Sequence, residues 1–439
     1  MNMKLLLIQS TPYDLERRPV KKKRLYFVGL AFPILAALTP ADWEVEVCLE
    51  TIEDIPWDTD ADLVGISSMG HAVIRSIDIA AEFRRRGKTV VMGGYMTSLM
   101  PGEAAKHCDS VIVGDGETVW AEMLSDFARG ELKPRYERPV EALTWPLPRY
   151  ELLLGKKIGS FLPVQAGRGC PHSCSFCSVY CLYHNRYLQR PLEEVVRDIR
   201  RVRELGFRRF LLLDDNICAN PGYMSALCDE IKKLGMTWFS QCSINIARQP
   251  ELLRKAAESG CIALSFGLES ISRESLEAMD KGWEDPGEYR RLLGIIADAG
   301  IDISTEMVVG ADGDTLESIA ATAAFIEESG AVVPRFYILT PIPGTLFHKQ
   351  MEEQGRIWNH DMYSYNAAEA VHIPRHMTPE ELTKAYWDLY EAVFAYKSIF
   401  KRTVLHRRFW RRPFMYLFYL GVNLFYRGQI KRRITPNII

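Results

Sequence analysis

The sequence predicts an α/β chain: a doubly wound, Rossmann-like parallel sheet, then a longer run of β/α units, then a mostly helical basic end. Three observations carry this. Short apolar runs bounded by glycine or polar turns recur through the first 131 residues, and stretches of helical spacing alternate with them. The pattern stops between 132 and 154, where Pro134, Pro139, Pro146 and Pro148 break any regular element. It then resumes for six further repeats. The divisions that follow are a domain at 1–131, a linker at 132–154, a second domain at 155–350 and a helical region at 351–439.

In order, 3–10 is an apolar run ending in a polar turn, 43–49 alternates, and 63–69 is a third strand. Residues 74–86 have helical periodicity and stop at Gly87. Strands at 89–94 and 110–114 follow, the first ending on Gly93 and Gly94, and a helix runs on through Phe127. Ligands of such sheets sit at the carboxyl ends of strands. Those ends are Ser67 and Ser68, then Gly93 and Gly94, then Gly114, Gly116 and Glu117.

Beyond the linker, strands are read at 161–166, 210–216, 237–246, 262–270, 303–310 and 335–340. The helices between them are read at 192–205, 224–234, 250–259, 285–299 and 315–329. Between the first of these strands and its helix lies the run 167–178, with Cys170, Cys174 and Cys177. Three thiolates so closely spaced can face one point. Cubane iron–sulfur clusters take four thiolates, so three leave one iron open. The alternative is a zinc knuckle, which Cys181 and His172 could complete. Ten cysteines in 439 residues, with no signal peptide at the start, fit a reducing compartment and a cytoplasmic placement.

The C-x3-C-x2-C spacing, with aromatic Phe176 before the last cysteine, resembles the radical S-adenosylmethionine (radical SAM) enzymes. The resemblance implies a partial (β/α)6 TIM-type barrel and a [4Fe–4S] cluster on Cys170, Cys174 and Cys177. It also implies that the open iron binds the amino and carboxylate groups of SAM. A flavodoxin- or ferredoxin-type donor would supply the electron that cleaves SAM to methionine and a 5′-deoxyadenosyl radical. Phe176 would then pack near the adenine. Asp214, in the run Asp214-Asp215-Asn216, would lie near the SAM amino group and the substrate; an acidic pair at a strand end also caps helices. Gly267, Glu269 and Ser270 resemble the family's G-x-E-S motif, whose glutamate lies near the SAM ribose or methionine. Glu306 stands inside an apolar strand and needs a partner or the barrel lumen, which makes it a candidate contact for SAM or substrate. The turns 310–315 and 341–345 match family turns and read as structural. Of the other cysteines, only Cys218 is flagged as lining the site.

The first domain resembles the cobalamin-binding domain of cobalamin-dependent radical SAM enzymes. That group includes magnesium-protoporphyrin ester cyclases, hopanoid methylases and C-methyltransferases. The matching pieces are 93–103 and 114–117. Cobalamin would be held by Ser67, Ser68, Gly93, Gly94, Gly114, Gly116 and Glu117. One departure is plain: there is no Asp-x-His-x-x-Gly, and Met96 stands where relatives often place a histidine. The resemblance therefore implies a corrinoid bound without a protein histidine, or a domain that has lost it.

Net charge is −2, which excludes a global case for nucleic acid. The end of the chain is strongly basic, and 414–426 is an aromatic run too short to span a bilayer. A capping box at Thr378 opens a helix expected to reach about residue 400. The tail reads either as an amphipathic segment on the inner membrane face or as a helix docked on the barrel. The membrane reading points to a lipophilic substrate such as a lipid, isoprenoid or tetrapyrrole. The function expected is radical modification of an unactivated carbon, foremost cobalamin-dependent C-methylation. The alternatives are radical oxidation, cyclisation or coupling without methyl transfer, and a non-catalytic zinc protein.

Overall fold

In the computed structural model, which describes residues 3–14, 16–67 and 70–436, the chain forms two compact units. One holds the chain up to Ala166 together with Leu188–Arg209; the other holds Gly167–Tyr187 and the chain from Phe210 onward.

The first unit is built around strand β1 (Lys4–Gln9). Its central residues Leu5, Leu6, Leu7 and Ile8 are all buried, so neither face meets water. Strands of this kind belong inside parallel sheets covered on both sides. With β2 (Glu44–Leu49), β3 (Leu63–Ser67), β4 (Thr89–Gly93), β5 (Ser110–Val113) and β6 (Arg135–Glu137), β1 forms a sheet of order β2-β1-β3-β4-β5-β6. Every pairing in it is parallel. The order reverses at β1, and the carboxyl ends beside such a reversal are where these sheets bind ligands. One face packs Leu6, Ile8, Val64, Ile66, Val90 and Met92 against Ile79, Ala80 and Phe83 of the helix Val73–Arg85.

Among the elements here that were not expected, two are instructive. The helix Ala31–Leu38 has no side-chain cap and no acidic or basic residue in its end turns, so only Pro40 beyond its end marks it in the sequence. β6 lies among the prolines of 132–154, next to Pro134 rather than across it. Strand β7 (Leu162–Gln165) and the helix Leu192–Glu204 also belong to this unit. Buried Arg190 pairs with Asp198 (2.9 Å) and Glu194 (3.0 Å) of that helix and lies 4.0 Å over the Trp145 ring.

Short strands β8 (Gly167–Gly169) and β9 (Tyr187–Gln189) bracket the cysteine loop in sequence. β10 (Arg209–Leu213), β11 (Thr237–Gln241), β12 (Cys261–Glu269), β13 (Asp302–Val309) and β14 (Ala331–Ile338) lie in that order across a sheet, with helices between them in sequence. β14 begins at Ala331, earlier than 335, because Pro334 reads as a breaker. It is tolerated on an edge strand, where a missing N–H leaves no inner ladder bond unmade.

The helix expected from 378 to about 400 is two, Pro379–Val393 and Tyr396–Arg402, because Ala395 between them is extended (φ −61°, ψ 145°). Thr378 and Glu381 do form the capping box. Buried Arg402 donates to the freed Val393 carbonyl (2.5 Å) and to Asn423 Oδ1 (3.0 and 2.7 Å). The helix Pro413–Ile430 follows, with Tyr416, Tyr419, Asn423, Tyr426 and Ile430 buried. Asp302, at the start of β13, is buried and held by Arg408 and Arg412 (3.0 Å each), Tyr416 (3.2 Å) and Tyr419 (2.9 Å). No helix of the described residues is long and apolar enough to cross a membrane.

Candidate active site

The cysteine loop is fixed by backbone bonds. Cys177 N–H donates to Cys174 O (3.1 Å), Ser175 N–H to Met279 O (3.1 Å), and Phe347 N–H to Ser175 O (2.9 Å). That last bond anchors the helix Leu346–Glu353, which Thr345 caps, so the turn 341–345 is structural as expected. Asn185 Nδ2 donates to Pro171 O (3.0 Å). Gly169 has φ +86°, and a Cβ there would lie 2.1 Å from the Arg186 carbonyl, so the loop closes only on glycine. Gly167 is constrained differently: a Cβ there would meet the Tyr187 hydroxyl at 2.7 Å and Asp214 Oδ2 at 2.9 Å.

All three loop cysteines are half-buried free thiols. Burial pushes Cys170 up, Cys174 up to about 12 and Cys177 up to about 11. A thiolate here therefore needs a strong local cation, and coordinated iron is one. Half-burial, free sulfurs and a pinned loop fit a [4Fe–4S] cluster. The zinc alternative fits poorly. Among the described residues no three Cys, His, Asp or Glu side chains converge as ligands of a single ion do. His172 is instead stacked on Trp283 (centroids 3.7 Å, planes 6° apart), and Cys181 Sγ is turned to the Cys177 carbonyl (3.5 Å). In a cubane each thiolate binds its own iron, so its ligands stand further apart.

Glu269 lies at the end of β12 in a left-handed conformation (φ +61°), beside a register shift against β13. Its Oε1 is 3.0 Å from Lys281 Nζ. Lys281 also donates to the Gly267 carbonyl and lies 3.8 Å from Glu284, which accepts the Tyr289 hydroxyl (2.5 Å). Burial works against the Lys281 charge, but Glu269, Glu284 and Cys174 outweigh it and hold its pKa above the ordinary lysine value. Burial pushes Glu269 up, with Lys281 opposing. Lys281 also lies 5.5 Å over Trp283. This cation joins the cysteine loop to the Gly267–Ser270 motif, and sequence reasoning missed it because Asp280-Lys281-Gly282 reads as a surface turn.

Ser270 is turned the other way. It is buried and meets Asp314 (3.5 Å), which also accepts from Ser275 Oγ (2.6 Å), Gly310 N–H (2.8 Å) and Ala311 N–H (3.1 Å). Thr315 caps the next helix in a capping box with Ser318, so the turn 310–315 opens that helix as expected.

Asp214 accepts the Tyr187 hydroxyl (2.8 Å) and Asn216 N–H (2.9 Å), and burial pushes its carboxyl up to about 7. Asp215 Oδ2 accepts Gly169 N–H (2.6 Å), fixing the loop's approach. Asn216 Nδ2 lies 4.0 Å from Cys170 Sγ, and its Oδ1 accepts Ser243 N–H (3.1 Å) and Cys218 Sγ–H (3.1 Å). Cys218 is thus buried beside the loop with Cys242, whose Sγ is 3.3 Å from the Ser243 carbonyl. Glu306 has the partner its burial demanded: Arg335, one strand over, pairs with it, and Ser265 Oγ donates to it (3.1 Å). Phe176 is half-buried.

In the first unit, Ser67 and Gly93 are register partners, so their strand ends lie side by side. Ser98, not foreseen, donates to Gly94 O (2.9 Å) and accepts Gly114 N–H (2.9 Å), bridging the next two turns. Gly94 and Gly114 both have positive φ (96° and 80°). Open space lies where a Gly114 Cβ would be, while Gly116 packs near Leu35 (3.5 Å). Glu117 lies in the short 3₁₀ turn Gly116–Thr118. Ser68 lies outside the described residues. Small residues and open turns on adjacent strand ends fit a large ligand such as a corrinoid.

Three comparisons bear on the chain. The model of the radical SAM superfamily matches residues 164–326. Bacteriochlorophyllide d C-8(2)-methyltransferase of Chlorobaculum tepidum is 31% identical over 398 residues, covering 86% of this chain and 88% of that protein. The C-12(1)-methyltransferase of the same organism is 29% identical, covering 88% and 85%. Among solved structures, the radical SAM methyltransferase TsrM of Kitasatospora setae, with cobalamin and a [4Fe–4S] cluster bound, superposes with a TM-score of 0.64 at 19% identity over 81% of this chain and 75% of that one, a likeness of fold. The three-cysteine loop and the sheet strands that follow it thus have one explanation: the chain is an enzyme of the radical SAM superfamily and belongs to the family that includes these bacteriochlorophyllide methyltransferases.

Proposed function

We propose that the protein transfers a methyl group to an unactivated carbon of a lipophilic small molecule, with a flat tetrapyrrole as the first substrate class to test. The observation that carries this is the three-cysteine loop, closed on Gly169 and pinned to Asp215 and Met279, with the buried Glu269–Lys281 pair at the end of β12. The likeness to two bacteriochlorophyllide methyltransferases supports the substrate class.

In this reading Cys170, Cys174 and Cys177 hold the cluster, and Glu269, Phe176 and Asp214 line the SAM site. Lys281 opposes the burial that pushes Glu269 up, and holds its carboxyl in place. Asp214, whose burial lifts it to about 7, presents a polar oxygen beside the loop at neutral pH with Tyr187 fixing its rotamer. The Glu306–Arg335 pair supplies charge on the sheet without net charge, which suits a neutral substrate body. Gly267 and Ser270 shape the end of β12 rather than touch SAM. Ser67, Gly93, Gly94, Gly114, Gly116 and Glu117 form the edge that would hold cobalamin. When bound, the cluster and SAM supply a carbon-centred radical, and cobalamin supplies the methyl group. An electron donor of flavodoxin or ferredoxin type completes the system.

The test is incubation of the reconstituted protein with SAM, reductant and chlorophyllide-type tetrapyrroles under anaerobic conditions. A product heavier by one methylene, formed with S-adenosylhomocysteine, supports the reading. Turnover of SAM with an oxidised or cyclised product and no methyl gain contradicts it.

A further inference from the structure

The helix Pro413–Ile430 has two unlike faces. Its inner face, Tyr416, Tyr419, Asn423, Tyr426 and Ile430, is buried, and Asn423 Nδ2 donates to the Val332 carbonyl (2.9 Å). The outer face carries Phe414, Leu417, Phe418, Leu424 and Phe425, all exposed, at the spacing of one helical stripe. Phe414 is 87% exposed, and Trp410 and Leu405, just before the helix, are 86% and 74% exposed. Water-facing surfaces rarely carry so many large apolar groups together without a partner.

Charge says what the partner is. After Glu391 the sequence holds eleven Lys and Arg and no Asp or Glu. Arg402 and Arg408 are turned inward, but Lys397, Arg411, Lys431 and Arg432 are exposed, and the last three flank the apolar stripe at both ends. An aromatic stripe with a basic border matches the boundary between acyl chains and anionic headgroups. A second copy of the chain would bring two borders of the same sign together in an isologous contact, which opposes it. The inner face is committed to Asp302 and Val332, so the helix can meet a bilayer only lying flat.

We propose that this outer face is a peripheral docking surface for an anionic lipid bilayer. The sequence left membrane and barrel as alternatives; the helix has a face for each. The proposal does not depend on the identity of the substrate.

The test is co-sedimentation of the full chain with vesicles of phosphatidylcholine alone and with phosphatidylglycerol added. The expected result is at least about tenfold stronger partitioning onto the anionic vesicles, weakened by high salt. The triple variant Trp410→Ser, Phe414→Ser, Phe418→Ser should lose about tenfold of it, since apolar burial adds to charge attraction. The variant Arg411→Glu, Lys431→Glu, Arg432→Glu leaves the apolar stripe intact and should lose the preference for anionic lipid. Both should keep the parent's circular dichroism and its rate of SAM cleavage. Three results would each overturn the proposal: equal binding to neutral and anionic vesicles, no vesicle binding, or a concentration-dependent dimer abolished by the serine variant.

Discussion

Lys281 organises the residue scale. It is a buried ammonium with two carboxylates and a cysteine around it, and removing one member of a buried charge group strands the others. Lys281→Met should therefore lower stability by about 3–5 kcal/mol, with Lys281→Arg recovering much of it. Chemical denaturation of the cofactor-free protein measures this, and an unchanged midpoint would refute the buried network. Asp214 gives a pH signature. Burial moves its carboxyl from 3.8 to about 7, so between those values the folded state keeps a proton that the unfolded chain has lost. Stability from this group is full below the unfolded value and falls as pH rises through the folded one, by up to about 4 kcal/mol. The stability advantage of wild type over Asp214→Asn in cofactor-free protein should shrink from pH 4 to pH 8. The same difference at both ends would contradict the assignment.

At the scale of elements, the C-terminal helix is held to the second unit through Asp302, which meets two arginines and two tyrosines. Asp302→Asn removes the charge that Arg408 and Arg412 compensate, and should cost about 3–5 kcal/mol. Faster proteolysis around residues 405–412 would report release of the segment; unchanged protection would show that packing alone holds it. Most of these elements were readable in the sequence because they obey periods. β1, β4 and β12 are apolar runs of strand length, and the helices Val73–Arg85 and Pro250–Glu258 stop just before Gly87 and Gly260. What escaped carries weaker signals. The helix Ala31–Leu38 is apolar all round with no cap, and the break at Ala395 falls where no proline or glycine stands. The site divides likewise. Cys170, Cys174 and Cys177 declare themselves by spacing. Lys281 and Arg335 become visible only through tertiary contacts, because their carboxylate partners Glu269 and Glu306 lie 12 and 29 residues away. The same holds for the bond from Gly114 N–H to Ser98, across 16 residues.

At the scale of the whole molecule, two parallel sheets each present carboxyl strand ends with small residues or charged tips. The first unit offers Ser67, Gly93, Gly94 and Gly114; the second offers the cysteine loop, Asp214 and Glu269. The proposed function couples SAM cleavage to methyl transfer. The most direct measurement uses protein reconstituted anaerobically with iron, sulfide and cobalamin, given SAM and a strong reductant. The expected result is a brown protein that retains corrinoid absorbance after gel filtration. It should yield 5′-deoxyadenosine and S-adenosylhomocysteine, and Cys174→Ala should lose the iron and the nucleoside together. Protein that binds no iron, or cleaves SAM while retaining no corrinoid and releasing no S-adenosylhomocysteine, would contradict it.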